Sequence, residues 1–285
     1  MKNKNNDKNE SRKCPVKPFL KWAGGKRRIL EALDSVFPEK IERFFDPFLG
    51  GGSVFFYIKQ KYNPDYCMIS DINKDLIDTY KAVRDTPEEL IVELSILNKT
   101  KSSKFFYDLR DQFNENQIKG IKRFAAFIYL NKRCFNGLYR VNSKNKFNVP
   151  YGRNKRLDIY DEDNILSASA LLQDVIIRRQ DYKNILQYVK SGDFIYLDHC
   201  YDPLKESSFV DYTPKRFCTA DREELSVFIG ELDAIGGKIV LSNNDLPEIR
   251  RLYSDFDIKE IQAFRSIGSH SKRRGKVVEL ALSNF

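Results

Sequence analysis

Phe45-Asp46-Pro47-Phe48-Leu49-Gly50-Gly51-Gly52-Ser53 runs from an apolar strand into an acid, through three glycines, and on to the apolar start of a helix at Val54-Phe55-Phe56. Glycine has no Cβ and accepts positive φ, so such a turn lets a ligand touch backbone at the mouth of a parallel sheet. A tight strand-to-helix turn with no ligand is the plain alternative. A second apolar stretch, Tyr66-Cys67-Met68-Ile69-Ser70, ends in Asp71-Ile72-Asn73. An acid at that place holds ribose hydroxyls in nucleotide-binding sheets, and the two signals together point to an adenosine-bearing ligand.

The glycines are contiguous rather than spaced as G-x-G-x-x-G, and Asp46 at the strand end repels a diphosphate. A cationic sulfonium carried on adenosine is welcome beside the same acid, which describes S-adenosylmethionine. Gly25-Lys26 invites a phosphate-loop reading. Leu20 stands where that motif needs its leading glycine, however, and Arg27 where it needs a Mg²⁺-binding hydroxyl, so nucleotide hydrolysis is excluded.

Outward from this loop, residues 17–75 read as loop, helix near Arg28-Leu33, strand, helix near Val54-Lys59, and strand, which is half of a doubly wound sheet. From Thr79 to Ile128 the pattern turns helical. Leu90, Leu94 and Leu97 form one stripe, and Ile118, Ile121, Phe124, Ala125 and Ile128 another, both ordinary core faces. Strands return at Val175-Ile177, Phe194-Leu197 and Lys238-Leu241, the short apolar runs of a buried parallel sheet. Ile258-Phe264 and Val277-Leu282 flank a basic loop and read as an antiparallel hairpin at the sheet edge. The expected fold is α/β, a Rossmann-like, doubly wound mixed sheet interrupted by a helical insertion. Its expected divisions are a disordered tail over 1–16, a sheet domain over 17–75 and 169–285, and an inserted domain over 76–168.

The chain has 285 residues, 41% of them hydrophobic, enough for a core without staples, and a formal net charge of +9. The charge is unevenly spread. From Asn116 to Leu157 there are eleven Lys and Arg and no Asp or Glu, interleaved with Phe135, Tyr139, Phe147 and Tyr151. A charge run is often only a solvated face, but a long one-signed stretch with aromatics suits a phosphate backbone, as does the loop Arg265-Lys276. Five scattered cysteines without a C-x-x-C argue against a disulfide framework or a zinc site, and fit a reducing cytoplasm. No apolar run approaches the ~20 residues of a membrane span, and Met1 to Lys13 lacks the apolar stretch of a signal peptide, so neither a membrane nor export is expected.

The strand at Phe194-Leu197 delivers Asp198-His199-Cys200-Tyr201 to the carboxyl edge of the sheet. With this block the chain resembles the Dam-type family of DNA adenine-N6 methyltransferases. The resemblance is carried by Pro18-Phe19-Leu20-Lys21-Trp22-Ala23-Gly24-Gly25-Lys26, Asp46-Pro47-Phe48-Leu49-Gly50-Gly51-Gly52, Asn136-Gly137-Leu138-Tyr139-Arg140-Val141-Asn142 and Phe147-Asn148-Val149-Pro150. It spans Lys17 to the C-terminus, with the blocks in family order. It implies methyl transfer from S-adenosylmethionine to adenine N6 in double-stranded DNA, within GATC, on a flipped base. It further implies that the insertion is a target-recognition domain carrying a β-hairpin, that a cognate restriction endonuclease can be a partner, and that the enzyme acts as a monomer.

Residue by residue, the resemblance assigns Trp22, Lys26, Asp71 and Asp198 to the cofactor, alongside the glycine-loop residues Asp46, Phe48, Gly50 and Gly52. It places Leu138 and Arg140 at base edges, Pro150 near a thymine methyl, and Phe135 and Asn136 beside the flipped base. Lys21 and Arg153 complete the recognition side, and Lys272 and Arg273 face phosphates. Arginine suits guanine because its fork pairs with O6 and N7 together. Asn154 stands where the family often has an aromatic.

One block departs from the family pattern. Asp-Pro-Pro-Tyr is here Asp198-His199-Cys200-Tyr201, with both prolines missing. In the implied chemistry Asp198 and the carbonyl of His199 accept the two N–H groups of the adenine amine, and Tyr201 stacks on the base. Those groups survive, but losing a compatible proline costs about 0.4–1 kcal/mol of pre-organisation per site, and a ~1 Å misplacement of reacting groups costs on the order of 10²-fold in rate. A relative that binds both ligands but turns over weakly is therefore the alternative. N4-cytosine methylation is disfavoured by Asp198, since those enzymes usually carry Ser there. RNA is disfavoured by a hairpin suited to the major groove. His199 and Cys200 as a metal or thiol pair fail because adjacent side chains diverge and no partner ligand is evident.

Overall fold

A computed structural model of the chain describes residues 15–152, 158–199, 219–264 and 276–285. Of the expected site residues, Arg153, Tyr201, Lys272 and Arg273 lie outside the described residues, as do Cys200 and Asn154.

Seven strands form one sheet: β1 (Arg43–Asp46), β2 (Tyr66–Asp71), β3 (Val175–Arg179), β4 (Phe194–Leu197), β5 (Lys238–Asn244), β6 (Asp257–Phe264) and β7 (Lys276–Ser283). Their spatial order is β3-β2-β1-β4-β5-β7-β6. β1 to β5 run parallel, and β7 is antiparallel to both of its neighbours. The sheet is thus mixed and Rossmann-like, with the expected hairpin at its edge. Alternate residues feed opposite faces, as the period of a strand requires. Phe44, Cys67, Ile69, Phe194 and Tyr196 join one buried cluster, while Phe45, Met68, Ile195, Leu197 and Leu241 join the other. Strands buried on both faces read as unbroken apolar runs, and it was by those runs, not by alternation, that they stood out in the sequence.

The helices are α1 (Leu30–Asp34), α2 (Ser53–Lys61), α3 (Lys74–Asp85), α4 (Pro87–Asn98), α5 (Ser103–Asn114), α6 (Gly120–Arg133), α7 (Glu162–Leu172), α8 (Thr219–Ala234) and α9 (Pro247–Leu252). α5 and α7 were not singled out in the sequence, although each carries a start signal. The Ser102 side chain accepts from Phe105 N–H, and Asp161 accepts from Asn164 N–H. Behind these caps, Phe106, Leu109 and Phe113 of α5 and Ile165, Ala168 and Leu172 of α7 are buried at helical spacing. The core of the inserted helices is continuous with one face of the sheet, in a single cluster that runs from Phe44 and Ile69 to Phe127 and Phe147.

The basic run from Asn116 to Leu157 is not uniformly a surface. Arg123 makes a bidentate pair with Asp75 at 2.7 and 3.0 Å, tying α6 to α3. Arg133 is only 2% exposed. Both guanidinium groups serve packing, a use that a charge count cannot separate from a phosphate contact. Among the described residues no helix is long and apolar enough to cross a membrane.

β2 continues outward from β1 on one side and β4 on the other, so the strand order reverses between β1 and β4. A crevice opens at the carboxyl ends of strands flanking such a reversal. Asp46 ends β1 and Asp198 follows β4 directly.

Candidate active site and base-reading hairpin

The glycine loop is shaped by two close approaches. Gly50 has φ +48°, and a Cβ there meets the Trp22 ring at 2.8 Å, so Trp22 lies directly on the loop. Gly52 has φ +70° and caps α2, and a Cβ there sits 2.3 Å from Tyr80 Oη. Tyr80, on α3, is fully buried, and its hydroxyl has no hydrogen-bond partner among the described residues. The loop is tied to the next strand end. Asp71 accepts from Gly50 N–H at 3.1 Å and from Asn73 N–H at 2.9 Å. Asn73 in turn caps α3 by accepting from Leu76 N–H.

Asp46 is 3% exposed and accepts from Phe48 N–H at 3.3 Å. Burial, reinforced by the charges of Asp198 and Asp71, holds its carboxyl well above the usual range. Burial also raises Asp71, against the pull of its backbone donors. Asp46, Asp71 and Asp198 thus gather at adjacent strand ends, and such a cluster of acids is a seat for a cation. The donor set therefore fits S-adenosylmethionine: acids for a sulfonium and for ribose hydroxyls, with Trp22 and Phe48 for apolar contact. Phe48 is stacked on Tyr182 at 5.1 Å.

Lys26 is held among the acids. The residue is 3% exposed, and its ammonium pairs with Asp198 Oδ1 at 2.8 Å, with Glu279 of β7 at 3.7 Å and with the carbonyl of Gly24 at 2.8 Å. It therefore fixes the orientation of the acid expected to do the chemistry. His199 is buried, with its ring 6.2 Å from Phe48. Burial first, then the charges of Lys26 and Arg222, push its pKa down to about 3, so the imidazole is neutral.

The recognition block begins where α6 ends. Asn131 clamps the backbone of Lys21, accepting its N–H at 2.8 Å and donating to its carbonyl at 2.7 Å. The Lys21 side chain lies against Gly137, where a Cβ would stand 2.4 Å away. Phe135 and Asn136 are exposed, Asn136 at φ +57°. The chain then forms a short hairpin. Val141 and Phe147 are bridged, Asn148 N–H donates to Arg140 O at 3.1 Å, and Asn142 N–H donates to Lys146 O at 3.0 Å. Tyr139, Val141, Phe147 and Val149 are buried. By strand alternation, Leu138, Arg140, Asn148 and Pro150 share the opposite face. Arg140 Nε donates to Asn148 Oδ1 at 2.8 Å.

The structure thus gathers Trp22, Lys26, Asp46, Phe48, Gly50, Gly52, Asp71, Asp198 and His199 about the carboxyl ends of β1, β2 and β4, and places Phe135, Asn136, Leu138, Arg140 and Pro150 along one segment with Lys21 packed against it. Sequence reasoning missed Tyr80, Asn131, Asn148 and Glu279. Tyr80 and Asn131 sit on core-facing helix positions, where the polar atom is invisible to an apolar stripe. Asn148 was legible from the alternation of Phe147 and Val149.

A family model described as D12 class N6 adenine-specific DNA methyltransferase matches residues 22–267. The chain is 43% identical to the type II methyltransferase M.MjaIII of Methanocaldococcus jannaschii, over 95% of this chain and 99% of the relative. It is 38% identical to the type II methyltransferase M1.LlaDCHI of Lactococcus lactis subsp. cremoris, over 97% and 98%. It is 31% identical to a DNA adenine methylase of Haemophilus influenzae, over 94% and 93%. With the glycine loop, the strand-end acids and the recognition block in place, the chain belongs to the D12 class of N6 adenine-specific DNA methyltransferases, enzymes that take the methyl group from S-adenosylmethionine.

Proposed function

We propose that this enzyme methylates adenine within GATC, with Asp198 and the His199 carbonyl as the groups that activate the amine and Tyr201 as the stacking partner of a flipped base. The observation that carries this is the convergence of Asp46, Asp71 and Asp198 at adjacent strand ends, with Lys26 set 2.8 Å from Asp198. When bound, S-adenosylmethionine supplies a methyl group on a cationic sulfur. Asp71 holds the ribose edge of the pocket, and Asp46 favours positive charge there. Asp198 accepts an N–H of the adenine amine, which draws the nitrogen lone pair out of the ring. Lys26 keeps Asp198 turned to that task, and Trp22, lying on the glycine loop, walls off water.

Recognition is assigned to the hairpin face, with Arg140 to a guanine, Leu138 and Pro150 to apolar base edges, Phe135 and Asn136 beside the flipped base, and Lys21, Arg153, Lys272 and Arg273 on the DNA around it. Division into a catalytic unit (17–75 and 169–285) and a recognition unit (76–168), a monomeric working state, a cytoplasmic site of action and a partner restriction endonuclease belong to the same proposal. The type II names borne by two relatives support the last of these. One feature favours a second reading, binding with little turnover. His199 brings a buried imidazole into the wall of the site where the family pattern has a proline.

Incubation with methyl-labelled S-adenosylmethionine and duplexes with or without GATC, followed by nucleoside analysis, tests both. N6-methyl-2′-deoxyadenosine formed only in GATC duplexes supports the first. Label in other sequences overturns GATC, and tight binding of both ligands without label leaves the second.

A further inference from the structure

We propose that Asn148 is a positioning residue for base reading: it holds Arg140 by Nε, so that the guanidinium presents Nη1 and Nη2 end-on to a guanine. This rests on the assignment of Arg140 to a base edge and adds how the contact is aimed. A guanidinium offers two forks, Nε with one Nη from the side or both Nη groups from the end. Here Nε donates to Asn148 Oδ1 at 2.8 Å, which uses up the side fork. Among the described residues neither Nη group has a hydrogen-bond partner, and no carboxylate pairs with Arg140.

The acceptor is itself anchored. Asn148 N–H donates to Arg140 O at 3.1 Å, so the two residues are joined by backbone as well as side chain. One residue earlier, Phe147 is gripped from α5: its N–H donates to Asn114 Oδ1 at 2.8 Å, and its carbonyl accepts from Asn114 Nδ2 at 3.0 Å. Phe147 and Val149 are buried on either side of Asn148. A neutral amide orients the guanidinium without neutralising it, whereas a carboxylate in that place cancels the charge that DNA attracts. Holding the side chain in one rotamer before binding lowers the ordering cost of the contact.

The test is equilibrium binding of the full chain, with S-adenosylmethionine present, to fluorescent duplexes carrying GATC and each single-base replacement of it. Arg140→Ala identifies the position read. Asn148→Leu is expected to reduce preference at that same position by about 5- to 20-fold, with non-specific affinity and salt slope unchanged because the charge remains. Asn148→Asp keeps an acceptor and retains the preference while weakening all duplexes. The Arg140→Ala, Asn148→Leu double variant is expected to match Arg140→Ala. Should Asn148→Leu fail to fold, Asn148→Gln moves the oxygen by one methylene and is expected to give the same loss. If Arg140→Ala relaxes one position and Asn148→Leu does not, the inference falls while the assignment of Arg140 stands. Equal loss on every duplex marks Asn148 as merely structural and overturns the inference. No change of preference in Arg140→Ala removes the base-reading role and the inference with it.

Discussion

Gly52→Ala places a methyl group where the fold has no room and a backbone where L-residues resist. Gly52 is left-handed at φ +70°, which costs an alanine about 1–2 kcal/mol. Its Cβ lands 2.3 Å from Tyr80 Oη and 3.4 Å from Leu49 Cδ1. Tyr80 cannot retreat, because it is fully buried with its ring 4.6 Å from that of Phe19. Overpacking of this kind adds about 1–3 kcal/mol, for a total near 2–5 kcal/mol. Tyr80→Phe removes the atom that collides. That hydroxyl has no partner among the described residues, so its deletion alone is close to neutral or stabilising. In the Tyr80→Phe background the glycine substitution is left with the backbone term, and the two changes couple by about 1–3 kcal/mol. Urea unfolding of the four proteins, followed by circular dichroism, measures the cycle. An equal cost for Gly52→Ala in both backgrounds refutes the contact between the loop and α3.

Asp71→Ala is expected to weaken S-adenosylmethionine by about 1.5–3 kcal/mol in calorimetry, through loss of a charged hydrogen-bond acceptor, and an unchanged dissociation constant in a folded variant moves the pocket elsewhere. Asp46 is held above its unfolded pKa, so its contribution to stability is present at acid pH and lost as pH rises through the folded value. Asp46→Asn is accordingly expected to stabilise the ligand-free protein near neutrality while weakening the cofactor, and a variant that loses stability there contradicts the sign. His199 shows the opposite linkage. Its folded pKa of about 3 lies below the unfolded 6.5, so stability falls as pH drops from 6.5 toward 3, with a slope approaching one proton, about 1.4 kcal/mol per pH unit. His199→Pro removes that contribution, which denaturation at several pH values detects. His199→Pro with Cys200→Pro is also expected to raise single-turnover methyl transfer by roughly 10-fold, and no gain in a folded, ligand-competent variant shows that the missing prolines are not a deficit.

Features that repeat along the chain, or that a single residue imposes, were legible without coordinates. The apolar runs of β1, β2, β4 and β5, the acids at Asp46, Asp71 and Asp198, the glycine loop and the edge hairpin follow from strand period, from glycine's freedom of φ and from the absence of a polar face on a buried strand. The roles given to Arg140 and Pro150 came from the family resemblance, since spacing alone does not say what an exposed face reads. Tertiary structure alone decided which charges are used up inside. The partner of Lys26, Asp198, lies far along the chain and is not legible in it, and Arg123 reads as part of a phosphate-facing run and is found locked to Asp75. Likewise Asn131 reaches Lys21 across a separation of 110 residues, and Asn114 reaches Phe147 across 33. Period and propensity are properties of neighbours along the chain, whereas the partner of a buried polar atom is chosen by the packing of distant elements, where leaving it unpaired costs as much as the contact itself.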